Sequence, residues 1–417
     1  MVGGAAAAAD GNGNGNGIGK DGGSINPTPT RLPLSMKLLR PLLLVAVLAT
    51  VFLGVFALLL GGSAYSVLPR FFLPDALSAP SSSRQRAQQP CAGDGKAPLQ
   101  RWTRAPASPS AWHNMTEEEL LWAASWRPAI GKYPYRRVPK VAFLFLTAGP
   151  LHLAPLWEKF FAGAGSRTEL YSIYVHATPG YSGPKKFPRS SPFHRRHVPS
   201  KVVQWGEPTM FDAERRLLAN ALLDPANDRF VLVSESCIPL FNFTVVYDYL
   251  TGSSHSFVNA FDDPGPGGLG RYNGALAPEV TPEQWRKGSQ WFELARDLAV
   301  TVVADERYYP KFREHCRPGC YVDEHYLPTV LTAVAPARIA NRSVTWTDWS
   351  RGGAHPATFG EGDIDEAFLT RLTTEVDQKT CEYNGQPSQV CFLFARKFAP
   401  NTLKPLLKLA PKFLGYG

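Results

Sequence analysis

The stretch CRPGCYVDEHYLPTVL, Cys316 to Leu331, gathers two cysteines, two adjacent carboxylates and a histidine at the start of an apolar helical period. Three chemistries fit these residue types. Cys316 and Cys320, with His315 and His325 nearby, are zinc-ligand types. The same two cysteines suit a disulfide corner. Asp323 and Glu324 stand where a carboxylate either complements a helix amino terminus or works as a general acid or base. Taken alone, an acid in a first helical turn reads as structural, because the helix dipole accounts for it.

Other chemistry-bearing residues lie further along. Asp363-Ile-Asp365 has the acid spacing of a metal-diphosphate site, yet it opens the amphipathic segment DIDEAFLTRLTTEV, where acids cap the helix and favour its positive end. Capping is the reading that context supports. Trp285, Trp291 and Trp349 flank KGSQW and TDWS. Aromatic faces suit the apolar faces of sugar rings, although each tryptophan alone also fits a hydrophobic core. Basic residues gather in KKFPRSSPFHRRH (Lys185 to His197) and RKFAPNTLKPLLKLAPK (Arg396 to Lys412), and the formal net charge is +9. Such a balance suits a diphosphate or an acidic glycan, with solvated loops as the plainer reading of the first cluster.

The compartment narrows these choices. Pro41 to Leu60, PLLLVAVLATVFLGVFALLL, carries no charge, and roughly 20 residues of helix cross the roughly 30 Å hydrocarbon core. Arg31, Lys37 and Arg40 precede the run, whereas the first basic residue after it is Arg70. That asymmetry places the amino-terminal side in the cytosol and the rest in the lumen. Sequons at Asn114, Asn242 and Asn341 follow the span and agree with lumenal glycosylation. All six cysteines also follow it, where disulfides persist. The disulfide reading of Cys316 and Cys320 is therefore preferred to zinc, and nucleic acid is not an expected partner.

The chain then divides into a disordered cytoplasmic tail (1–36), a transmembrane signal-anchor (37–62), a Pro/Ser-rich stem (63–138) and a lumenal domain (139–417). A short helix from Thr116 to Trp126 interrupts the stem, opened by a Thr116 to Glu119 capping box. Val141 to Leu146, Leu170 to Ala177 and Arg229 to Ser236 are continuous apolar runs of the kind buried on both sheet faces. Helical periods over Pro155 to Phe161 and Phe211 to Leu223 alternate with them, which predicts an α/β domain with a mostly parallel central sheet. Ligands of such sheets sit at the carboxyl ends of the strands, so Thr147, His176 and Glu235 are candidate donor-site residues. A further helix is predicted from Trp291 to Val300, after the loop DDPGPGGLGRYNG.

Five ordered segments now add to this: FVLVSESCIPL, WRKGSQWFEL, DEHYLPTVL, TWTDWSRGGAHPATF and CFLFARKF. Together they resemble the plant branch of the core-2/I-branching β-1,6-N-acetylglucosaminyltransferase family, the group with the brittle-culm-type proteins. The resemblance runs from about Val141 to Phe398. It implies a GT-A-like fold, a UDP-sugar donor and inverting transfer with no metal and no cofactor. By the same resemblance Glu324 is the catalytic base, Lys397 with Arg396 holds the diphosphate, and the segment containing Lys287, Ser289 and Trp291 belongs to the acceptor site, with Trp349 nearby. Asp323 is left to cap the helix. Two positions depart from the family pattern: Val322 stands where relatives often have proline, and Ser388 where the family has a basic residue. Arg396 or Arg351 would then supply the missing charge.

The expected function is thus a single-pass type II Golgi membrane glycosyltransferase, moving N-acetylglucosamine or glucuronic acid from a UDP-sugar to a glycan or glycoprotein acceptor. Two alternatives stand beside it. One is a non-catalytic lumenal glycan-binding protein on the same fold; the other is a metal-dependent transferase using Asp363 and Asp365.

Overall fold

A computed structural model describes residues 110–127, 133, 137–179, 187–317, 319–375 and 380–417. The apolar run at Pro41 to Leu60, the tail, most of the stem and Cys91 lie outside the described residues. Among those described, no helix is long and apolar enough to cross a membrane.

The chain enters through helix α1 (Glu117–Ala124), where the expected capping box is formed: Thr116 Oγ1 accepts from Glu119 N–H, and Glu119 accepts from Thr116 N–H at 2.8 Å. Strand β1 (Lys140–Thr147), helix α2 (Ala154–Ala162), strand β2 (Tyr171–Ala177), helix α3 (Thr209–Leu222) and strand β3 (Asn227–Ser234) then alternate. A short strand β4 (Ile238–Pro239) and helix α4 (Phe243–Gly252) follow, then strand β5 (Glu293–Ala295) and helices α5 (Arg296–Val303), α6 (Tyr309–His315) and α7 (Val322–Val334). The remainder comprises β6 (Thr345–Thr347), α8 (Glu366–Thr370), β7 (Cys381–Tyr383), β8 (Gln386–Ser388), β9 (Phe394–Arg396) and α9 (Leu403–Phe413).

The main sheet has the order β2-β1-β3-β5. Strand β1 runs parallel to both neighbours, and β5 closes the edge antiparallel to β3. Being central, β1 is covered on both faces, so Val141 to Phe145 are fully buried and read as one apolar run. Phe143 meets the ring edges of Trp157, Phe160 and Phe161 at 5.1 to 6.0 Å, which fastens α2 to the sheet. Each such buried aromatic contributes about 1.5–3 kcal/mol. A second sheet, β4-β9-β6, carries Arg396 at the end of β9. The fold is α/β with a mixed, mostly parallel central sheet.

One element departs from the sequence reading. Trp291 and Phe292 are not helical; Glu293–Ala295 form β5, and the helix begins only at Arg296. The cause is tertiary. Glu293 is fully buried and pairs with Arg229 of β3 at 2.8 Å, which ties the segment to the sheet edge.

Candidate active site

Helix α7 positions the two acids. It has no side-chain cap: Tyr321 precedes it with a left-handed φ of 57°, and Glu324 N–H donates to Tyr321 O at 3.0 Å. The expectation that Asp323 caps the helix is therefore corrected. Asp323 is 7 % exposed, with one oxygen lacking a hydrogen-bond partner. Burial, and then the neighbouring Glu324 charge, push its carboxyl up to about 7. Behind it lies Glu214 of α3, fully buried and accepting from Gln290 Nε2 at 2.8 Å. Burial and the Asp323 charge raise that carboxyl well above the usual range.

Glu324 is the more exposed of the two acids and lines a cavity of about 970 Å³, which the nearly buried Asp323 also touches. Glu324 Oε2 accepts from Arg271 Nη1 at 2.8 Å. Pro328, four residues later, has no N–H with which to occupy the Glu324 carbonyl. Gly288 N–H takes that carbonyl instead, at 2.8 Å. Close approach requires glycine here: a Cβ on residue 288 would lie 1.9 Å from Asn259 O and 2.9 Å from Pro328 Cγ. Thr329 continues the seam, its hydroxyl accepting from Arg286 N–H at 3.0 Å. The helix proline thus leaves α7 tied to the Lys287 to Trp291 segment.

That segment lines the cavity together with Asp323, Glu324 and Arg271. Lys287 Nζ donates to Gly267 O at 3.1 Å, and Ser289 Oγ accepts from Trp291 N–H. Trp291 is almost buried, with the Arg396 guanidinium 3.9 Å above its ring. Trp349 is half-exposed on the cavity wall. Trp285 belongs to the core instead, stacked on His325 at 4.6 Å and on Phe312 at 5.5 Å. His325 is fully buried under it, its Nδ1 3.1 Å from Tyr321 O, and burial lowers its pKa to about 4.

The candidate donor residues divide. Thr147 and Glu235 stand at the carboxyl ends of β1 and β3, Thr147 buried and Glu235 partly so. Lys397 is partly buried; burial and Arg396 lower its pKa, while the Glu235 charge opposes them. Arg396 lines the cavity. His176 lies inside the core, where its Nε2 accepts from Lys201 N–H at 3.2 Å, and it does not line the cavity. Ser388 sits in β8, and Arg351 is exposed outside the cavity. Arg342 is a further basic residue that lines it, its Nη1 donating to Cys391 O at 2.6 Å.

The sequence reading missed Arg271, Arg342, Trp205, Trp346 and His355 as cavity residues. Only one available signal bore on the architecture: a proline four residues after Glu324, which frees a helix carbonyl for an outside donor. The long-range partners have no local signature.

Cys316 and Cys320 form a disulfide, as expected, and so do Cys381 and Cys391. Cys237 is a buried free thiol. Asp365 caps α8, accepting from Phe368 N–H at 2.7 Å, and Asp363 accepts from Gly360 N–H. Among the described residues no group of three or more His, Cys, Asp or Glu is placed to hold a metal ion. Of the sequon asparagines, Asn114 and Asn341 are exposed, while Asn242 caps α4 by accepting from Val245 N–H.

The comparisons with known proteins agree with this geometry. Residues 141–373 match the model of the core-2/I-branching enzyme family, a span that holds Glu324 and the Lys287 to Trp291 segment and stops short of Arg396 and Lys397. Glycosyltransferase BC10 of Oryza sativa subsp. japonica is 39% identical over 311 residues, which is 65% of this chain and 76% of that protein. A cavity floored by a carboxylate on a helix start, on an α/β sheet with this match, leads to one conclusion: the chain is a glycosyltransferase and belongs to the core-2/I-branching enzyme family.

Proposed function

We propose that the chain is a single-pass type II Golgi membrane protein. Its lumenal domain transfers N-acetylglucosamine or glucuronic acid from a UDP-sugar to a glycan or glycoprotein acceptor, in β-1,6 linkage, with inversion and without a metal ion. The observation that carries the catalytic part is the Glu324 carboxylate, open to the cavity and aimed by Arg271 and by the Gly288 seam. In one displacement the acceptor hydroxyl oxygen forms a bond to the sugar C1 as the C1–O bond to the diphosphate breaks. Glu324 takes the hydroxyl proton, and the electron pair leaves with UDP. Lys397, beside Glu235 at the strand ends, and Arg396 offer the positive charge that favours the departing diphosphate. Thr147 and Glu235 are assigned to that side from their place at the carboxyl ends of β1 and β3, outside the cavity lining. Lys287, Ser289, Trp291 and Trp349 form the acceptor side.

The membrane part rests on the apolar run at Pro41 to Leu60, the basic residues before it and the sequons after it. A screen of UDP-sugars with the detergent-purified full chain and a panel of glycan acceptors tests the proposal. One UDP-sugar should be consumed, with a new β-1,6 linkage found by product NMR. Failure to bind any UDP-sugar, or a product of retained anomeric configuration, would contradict it.

A further inference from the structure

The cavity also carries an aromatic cluster that the residues assigned above leave unused. The Tyr321 ring lies between the Arg271 guanidinium, 4.3 Å from its centroid, and the Trp205 ring, 5.3 Å away and nearly edge-on. Trp205 in turn meets His355 at 4.9 Å. All four residues line the same cavity as Glu324. The series Glu324, Arg271, Tyr321, Trp205, His355 therefore leads outward from the candidate base.

Trp205 is 55 % exposed, which leaves a large apolar face without a partner although it stands in a cleft and not on open surface. Its setting is specific. Gly206, with φ of +79°, turns the chain directly after it, and even a Cβ there would touch the Tyr321 ring at 3.4 Å. Tyr321 is itself in the left-handed region at 57°. Two unusual backbone positions thus bring the rings together at the cavity wall. The exposed faces are flanked by hydrogen-bonding groups, the Arg271 guanidinium and the His355 imidazole. That combination, an apolar plate with polar edges, matches a hexose, which has an apolar ring face and a rim of hydroxyls.

We propose that Trp205, with Tyr321 and His355, forms an outer subsite that stacks a sugar two or three units from the reacting end of the acceptor. The protein then selects oligosaccharide chains over single sugars. This deepens the proposed function and rests on Glu324 facing the acceptor.

The test is calorimetric titration of the full chain in detergent, with UDP present. The probes are methyl glycosides of one and of three β-linked galactose residues. The wild type should bind the longer probe about tenfold more tightly, the scale of one aromatic stacking contact with the area it covers. Trp205→Ala should reduce that ratio to about twofold, and Trp205→Phe should restore most of it, which separates stacking from misfolding. Equal affinity for the two lengths, or none for either, overturns the subsite. So does a Trp205→Ala loss that falls on UDP affinity, since the ring would then be stacking the nucleobase. Transfer measured on the same protein preparations, supplied with a UDP-sugar in place of UDP, reports on the proposed function separately. Length-dependent binding without transfer contradicts that function and upholds the subsite, whereas transfer with no length dependence does the reverse.

Discussion

Replacing Asp323 with asparagine should make the protein more stable at neutral pH and change how its stability depends on pH. Asp323 is buried beside the ionisable Glu324 and the buried Glu214, and its carboxyl titrates near 7 in the folded chain. In the unfolded chain it titrates near about 3.9. At low pH both states hold the proton and the group contributes no difference. As pH rises past about 4, the unfolded chain releases its proton while the folded one keeps it, so stability falls until pH reaches about 7. At roughly 1.4 kcal/mol per tenfold change in proton affinity, the loss is on the order of 4 kcal/mol above neutrality. The substituted amide keeps the shape and does not ionise. The Asp323→Asn protein should therefore match the wild type near pH about 4 and melt roughly 8 °C higher near pH about 8. Melting curves followed by tryptophan fluorescence at several pH values measure the difference directly. A wild-type-minus-variant difference that stays flat across this range would refute the burial argument. A variant less stable at high pH would show that the Asp323 charge has a partner.

Gly288→Ala should lower the melting temperature, because the new Cβ meets the Asn259 carbonyl at 1.9 Å and overpacking of this kind costs about 1–3 kcal/mol. Pushing residues 287 to 291 off the Glu324 carbonyl should also cut acceptor kcat/KM at least about tenfold with UDP affinity retained, which a paired transfer and UDP-binding assay checks. Lys397→Ala should act on the donor side, raising the Kd for UDP and slowing transfer together, since the charge that attracts the diphosphate also stabilises it as it leaves. Transfer should persist in excess EDTA; loss with rescue by manganese would instead favour a metal-dependent reaction.

The sheet was legible because β1 and β3, covered on both faces, must be written in nearly unbroken apolar residues. The α1 capping box and the Asp365 cap were legible because each is a local hydrogen-bonding pattern. β5 was not. Its helix-like apolar period hides Glu293, whose burial depends on Arg229, sixty-four residues away. The same holds at the site. Glu324 and Lys287 to Trp291 could be named from motifs, whereas Arg271 stands fifty-three residues from Glu324 in a loop that read only as Gly/Pro-rich. His176 shows the opposite error: a strand-end histidine has site-like chemistry, but Lys201 N–H and the core fix it inside. Position at a strand end does not settle which way a side chain faces. Asp323 was misread for a related reason, since the left-handed Tyr321 starts the helix and leaves the next acid to face the core.

If Glu324 is the general base, one substitution should all but abolish transfer and spare the fold. Glu324→Gln keeps the size of the side chain and can still face Arg271, but it does not accept a proton at neutral pH. Single-turnover transfer should be measured with a donor the wild type uses, alongside UDP affinity and the melting temperature of the same sample. The rate should fall by about 10²–10⁴ with UDP affinity and melting temperature close to wild type. A folded Glu324→Gln protein that transfers sugar at near the wild-type rate would contradict this role and move the base to Asp323 or Glu235.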